Sequence, residues 1–226
     1  MLFSRPFLSV PHITNFDASD VTSFEKFVIC IHGFGTGKHG SKIARLMSEL
    51  KAKNIGAVAI DMPAHCENKK SLTIDNCVED ISQTVNVLQK LGKPICFYGS
   101  SFGGFCTLAY LIRSNNKQDK IFLLAPAVDL LKIHEKRTGT EHNGILITQE
   151  YIDSIKRFDI LANPNKLPPL DIVYAENDSA VDNNDILNLT EVANCNLHKV
   201  PNADHWFDGE GELDKVIEIA LKVFCS

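Results

Sequence analysis

The sequence predicts an α/β fold: a mainly parallel β-sheet with helices packed on both faces. Two observations carry the prediction. Short runs of continuous apolar residues recur along the chain, as expected for strands covered on both sides. Between them lie segments whose apolar residues recur every three or four positions, the spacing of helices with one buried face. At 226 residues the chain reads as a single domain, 1–226, with a sizeable core.

The elements follow in order. Residues 1–25 are expected to hold one or two edge strands. Phe27-Val28-Ile29-Cys30-Ile31 is a buried strand, and Ser41 to Lys53 a helix with Ile43, Leu46, Met47 and Leu50 on one side. Gly56 to Ile60 is the next strand, and Asp75 to Leu91 the next helix, through Val78, Ile81, Val85 and Leu88. Ile95 to Tyr98 is a strand, followed by an apolar helix from Phe105 to Ile112. Lys120–Leu124 and Leu170–Tyr174 are strands, Cys195–Val200 is a weaker one, and Asp214–Phe224 closes the chain as an amphipathic helix. Residues 131–168 interrupt the alternation. They hold a helix from Thr148 to Arg157, then Asn163-Pro164 and Pro168-Pro169, and form either a small cap over the site or a long surface connection.

Composition narrows the function classes. Apolar content of 44%, charged content of 23% and a net charge of −5 suit a soluble globular protein, and no basic stripe offers a nucleic-acid surface. Nothing approaches membrane-spanning length, and the first residues do not form a signal peptide. The seven cysteines are scattered, odd in number and without C-x-x-C spacing, which points to reduced thiols and a cytoplasmic location.

The most informative segment is Gly99-Ser100-Ser101-Phe102-Gly103, a G-x-S-x-G nucleophile elbow between a strand and a helix. Such a turn strains the backbone at the serine and requires glycine two residues to either side. Only Ser101 meets that condition, since Ser100 is flanked at those positions by Tyr98 and Phe102.

A serine hydroxyl needs a base, an acid to orient that base, and donors for the developing oxyanion. Asp178, just past the Leu170–Tyr174 strand, is the expected acid, with Asp182 as runner-up. His205, past the last strand, is the expected base. Serine, aspartate and histidine each follow a successive strand, which neither acid nor base would signal alone. The oxyanion donors are expected to be the backbone N–H groups of Phe102, at the start of a helix, and Phe34, in His32-Gly33-Phe34-Gly35. His32 is assigned to orienting that loop rather than to a second base.

With these residues in view, the chain resembles the α/β-hydrolases from about residue 26 to the C-terminus. The resemblance rests on His32–Gly35, Asp61-Met62-Pro63-Ala64-His65, the Gly99–Gly103 elbow, Asp178 with Val181, and His205 before Trp206 and Phe207. It is similar to small bacterial esterases, including feruloyl-esterase-like and monoacylglycerol-lipase-like enzymes with reduced caps. Ala64, Cys66 and Ala175 stand where glycines are common in that family. The resemblance implies hydrolysis of a small-molecule carboxylic ester, thioester or amide through an acyl-serine, with no cofactor or metal.

Several look-alikes compete. Gly35-Thr36-Gly37-Lys38-His39-Gly40 satisfies G-x-G-x-x-G, with Asp61 about twenty residues on, the pattern of an NAD(P)-binding oxidoreductase. That reading leaves Ser101, Asp178 and His205 unexplained. A P-loop fails because His39 follows Lys38, which reads as a solvated loop lysine. His134 and His142 lack partners at metal-ligand spacing. Phe34, Phe102 and Phe105 are candidates for an apolar acyl pocket, although aromatic residues in such places are more often core, and Trp206 either lines the pocket or packs behind the base loop. A non-catalytic ligand-binding protein on the same fold is the remaining alternative.

Overall fold

The computed structural model describes residues 8–17, 19–114 and 120–226. The elements, in chain order, are β1 (His12–Thr14), β2 (Phe27–Ile31), α1 (Ser41–Ala52), β3 (Gly56–Ile60), α2 (Ile74–Gln89), β4 (Ile95–Ser100) and α3 (Phe102–Arg113). There follow β5 (Ile121–Leu124), α4 (Leu130–His134), β6 (Glu141–His142), β7 (Ile145–Leu146), α5 (Gln149–Ile155), β8 (Leu170–Ala175), α6 (Asn183–Val192), β9 (Cys195–Val200) and α7 (Glu212–Cys225).

Seven strands form one sheet in the order β1-β3-β2-β4-β5-β8-β9. β1 runs antiparallel to β3 at one edge, and the other pairings are parallel. This is the α/β-hydrolase arrangement the sequence predicts. One edge strand is described between residues 8 and 25; residues 1–7 and 18 lie outside the described residues.

Continuous apolar strands produce two apolar cores, one per sheet face. Ile29, Ile31, Phe97 and Leu123 point to the side covered by α2 and α3. Val28, Cys30, Tyr98 and Phe122 point to the side covered by α1 and α7. Alternation along each strand sends neighbours to opposite faces. Burying each such side chain contributes about 1.5–3 kcal/mol. The parallel strands bring the loops after β2, β4, β8 and β9 to the same rim of the sheet, which is where such sheets place ligands.

Residues 131–168 are more structured than the sequence suggests. They contain the end of α4, the two-residue strands of a hairpin (β6 paired with β7), and α5. The segment docks firmly. Thr73 caps α2 through the Asn76 N–H at 3.1 Å, and Ser154 of α5 accepts the Ile74 N–H at 2.8 Å, so two N–H groups of that helix end are satisfied, one from each element. Arg157 pairs with Asp75, which Arg113 also holds at 2.9 Å. α6, which the sequence reading lacks, follows Asp182, whose carboxylate caps it through the Asn184 N–H at 2.9 Å.

Candidate active site

Ser101 sits at the tip of the elbow with φ 52° and ψ −114°, a conformation non-glycine residues avoid. The two flanking glycines have separate reasons. A Cβ at Gly99 would lie 2.6 Å from Thr107 Oγ1 and 2.8 Å from the Gly103 carbonyl oxygen. A Cβ at Gly103 would lie 2.6 Å from the His32 carbonyl oxygen and nearer still to that of Ile31. The helix start is therefore pressed against the end of β2. The strained serine is held by its own backbone: its N–H donates to Leu124 O at 2.8 Å, and its carbonyl accepts from Gly104, Phe105 and Ala127.

The residues expected to converge do so. His205 Nε2 lies 3.0 Å from Ser101 Oγ, and His205 Nδ1 lies 2.7 Å from Asp178 Oδ2. With Nδ1–H donating to the carboxylate, Nε2 is left to accept from the hydroxyl. The Asp178 side chain is fully buried, and its other oxygen accepts the Ala180 and Val181 N–H groups at 2.8 and 2.9 Å. These bonds fix the carboxylate's orientation. Asp182, the runner-up, faces elsewhere: it binds Lys132 Nζ at 2.6 Å and caps α6.

The Phe34 loop passes directly against the serine, since a Cβ at Gly33 would lie 3.6 Å from Ser101 Cβ. His32 orients this loop, as expected. Its Nδ1–H donates to Gly33 O at 2.8 Å, and its Nε2 accepts the Met62 N–H at 3.0 Å. Burial pushes this imidazole down to about 4, so it stays neutral. The Phe34 ring meets Phe102 edge-on at 5.4 Å, stacks on His142 at 5.5 Å and packs against His134 at 4.7 Å. His134 and His142 thus form aromatic walls around Phe34. Among the described residues no cluster of three or more His, Cys, Asp or Glu side chains could hold a metal ion.

One expectation needs correction. Lys38 is not solvated: only 3% exposed, it reaches Asp61 Oδ2 at 2.6 Å and Glu67 at 3.1 Å, and its N–H meets Asp61 Oδ1 at 2.9 Å. Burial alone would push this ammonium down, but the Asp61 and Glu67 bonds hold it above its ordinary value. Asp61 is fully buried in that ion pair, so its carboxylate has no room for a ribose. Gly37 lies under the Cys66 side chain, where a Cβ would collide with Sγ; the glycines serve loop packing rather than a pyrophosphate. Of the three phenylalanines offered for either pocket or core, Phe105 is core, and Phe34 and Phe102 line the pocket.

A cavity of about 600 Å³, the size of a small-molecule site, opens at Ser101. Phe34, Phe102, Leu130, Ile133 and Val181 give it an apolar wall. His134, Arg137 and His142 line it from the 131–168 segment. Trp206 lines it too, with 54% of its surface exposed. Lys42 also borders it, a residue the sequence reading passed over; its half-buried ammonium beside the base loop has no motif to announce it.

Over residues 22–143, just over half of the chain, the sequence matches the family described as serine aminopeptidase, S33. No curated protein matches it. Among solved structures it is similar to Est1E from Butyrivibrio proteoclasticus with ferulic acid bound, at 17% identity over 97% of each chain and a TM-score of 0.83. It is also similar to mouse alpha/beta hydrolase domain-containing protein 10, at 16% identity over 100% of this chain and 98% of that one, TM-score 0.76. The monoacylglycerol lipase of Paleococcus ferrophilus shares 15% identity over 96% of this chain and 99% of its own, TM-score 0.73. At such identities the likeness is one of fold. The sheet order, the elbow and the sequence match together make the chain a member of the serine aminopeptidase S33 family within the α/β-hydrolase superfamily.

Proposed function

We propose that this protein is a serine hydrolase that cleaves a carboxylic ester or thioester through an acyl-serine intermediate. The observation that carries the reading is the unbroken hydrogen-bonded relay from Asp178 through His205 to Ser101. Membership of a hydrolase family and the esterase and lipase folds nearby support it.

In this reading His205 Nε2 takes the hydroxyl proton as Ser101 Oγ attacks the substrate carbonyl carbon. The carbonyl π-pair becomes an oxyanion, received by the Phe34 and Phe102 N–H groups, for which no hydrogen-bond partner is seen among the described residues. The helix dipole at the start of α3 adds to that stabilisation. As the tetrahedral centre collapses, the bond to the leaving group breaks and Nε2–H protonates the leaving oxygen or sulfur. Water, deprotonated by His205, then attacks the acyl-serine and releases the acid. Asp178 remains ionised and holds the Nδ1–H tautomer. The apolar wall formed by Phe102, Leu130, Ile133 and Val181 suits an acyl chain, and a small aromatic or short-chain ester fits the cavity.

Cys30, Cys77 and Cys106 are buried free thiols, which supports a reducing, cytoplasmic setting. Among the described residues no helix is long and apolar enough to cross a membrane. The test is turnover of p-nitrophenyl butyrate by the native protein and by Ser101→Ala. Hydrolysis by the first and loss in the second is expected. Activity that survives the substitution would overturn the assignment, and a wild type inert to every acyl ester would favour a ligand-binding role.

A further inference from the structure

The cavity wall beside His205 carries a cation with no anion to meet it. Lys42, in the first turn of α1, extends along the base loop. Its Nζ donates to the His205 carbonyl oxygen at 3.4 Å, a long bond that uses one of three donors. The ammonium lies 6.0 Å from the centre of the Trp206 ring and 5.6 Å from that of Phe207, within cation–π range. Among the described residues no carboxylate lies within 4 Å of it. Asp178, Asp204 and Asp208 stand farther off and favour its charged form, but burial outweighs them and lowers its pKa. This differs from Lys38 four residues earlier, which is fully engaged by Asp61 and Glu67. Arg137, the other cation on the cavity wall, belongs to the 131–168 segment and is exposed.

Position assigns the cation a role. In the reaction proposed above, on which this inference rests, His205 delivers its proton to the leaving group. That group therefore occupies the His205 side of Ser101, opposite the acyl wall. Lys42 and Trp206 border that side. A half-buried ammonium held over aromatic rings is a ready partner for an anion, and a charge-assisted hydrogen bond there is stronger than a neutral one. The exposed indole face offers a flat surface to the body of the same group.

We propose that Lys42 is a specificity-determining residue that binds an anionic group, carboxylate or phosphate, on the leaving portion of the substrate, with Trp206 as its platform. The enzyme would thereby favour acyl esters or thioesters of acidic alcohols and thiols over neutral ones.

The test compares three butyryl esters: of 4-hydroxyphenylacetate, of its methyl ester, and of 4-hydroxybenzylphosphonate. Each kcat/KM is divided by the ester's own hydroxide-catalysed rate, which removes differences in intrinsic reactivity. The native protein is expected to favour at least one anionic ester over the neutral one, and that preference should shrink as ionic strength rises. Which anionic ester wins tells carboxylate from phosphate recognition. Lys42→Gln should lower the anionic-to-neutral ratio about tenfold, Lys42→Glu should invert it, and Lys42→Arg should preserve it. A ratio unchanged in Lys42→Gln, whatever the absolute rates, would overturn the proposal and leave Lys42 as a latch for the base loop. If the variants fail to fold, a native protein with no salt-sensitive preference for either anionic ester overturns it equally. Neither result touches the Ser101 assignment, which stands or falls on whether Ser101→Ala loses turnover of the neutral ester.

Discussion

Gly103→Ala tests how tightly the elbow is wedged between fold and site. The added Cβ would lie 2.6 Å from the His32 carbonyl oxygen, against a floor near 3.0 Å for real contacts, and closer still to that of Ile31. Both obstacles are backbone at the end of a central strand, paired on each side by β3 and β4, so they do not yield as a flexible side chain would. The first turn of α3 must retreat by about 0.5 Å, taking the Phe102 N–H and Ser101 with it. Overpacking of this kind costs about 1–3 kcal/mol. In a chain of this size that lowers Tm by roughly 2–12 °C. Since a misplacement of about 1 Å costs on the order of 100-fold, half that distance predicts a loss of about tenfold in kcat/KM. Urea unfolding, thermal melts and p-nitrophenyl butyrate kinetics read all three. Gly40→Ala is the stability control: its φ is −55° and its Cβ would meet only the Gly37 carbonyl oxygen at 3.3 Å, so a change below about 1 kcal/mol is expected. A Gly103→Ala protein with native Tm and native kcat/KM would refute the reasoning.

Other outcomes follow from the same contacts. Asp178→Asn should lower kcat by about 10³–10⁴-fold by losing the tautomer it holds, whereas Asp182→Asn, at a residue bound to Lys132, should change it less than about threefold; equal losses would contradict the assignment. Lys38→Met strands the Asp61 carboxylate in the core and should cost about 3–5 kcal/mol in urea unfolding, so a loss below about 1 kcal/mol would count against a tight pair. His32 and His134 are buried and pushed down to about 4 from 6.5, chiefly by burial. Their neutral forms belong to the fold and their protonated forms to the unfolded chain. Their contribution is thus complete above pH 6.5 and lost as pH falls toward 4, by up to about 1.4 kcal/mol per unit for each. Denaturation midpoints measured from pH 7 to pH 4 should fall accordingly, and the slope should lessen in His134→Gln; a flat profile would contradict it.

Much of this was legible in the sequence, because the strands of a parallel sheet are apolar on both faces and need no partner to be recognised. Phe27–Ile31 and Ile121–Leu124 announce themselves that way. Ser101 was legible because two glycines at fixed offsets mark a turn that few other structures require. α6 was not, because only Ile186 and Leu189 of its ten residues are buried, too few to show a period. The β6–β7 hairpin has two residues per strand, below the length at which alternation can be seen. Lys38 and Asp61 misled for a different reason: their partnership spans 23 positions and lies in a loop, and only the fold brings the charges together. Lys42 was invisible because a cation's lack of a carboxylate partner is a fact of three dimensions.

The most direct measurement is covalent labelling by a fluorophosphonate followed by peptide mass mapping. A serine activated by His205 should form one phosphonyl adduct, on the peptide carrying Ser101, and pretreatment with a slowly hydrolysed ester should block it. No adduct on the folded native protein, or an adduct that persists in Ser101→Ala, would contradict the claim that this hydroxyl is the nucleophile.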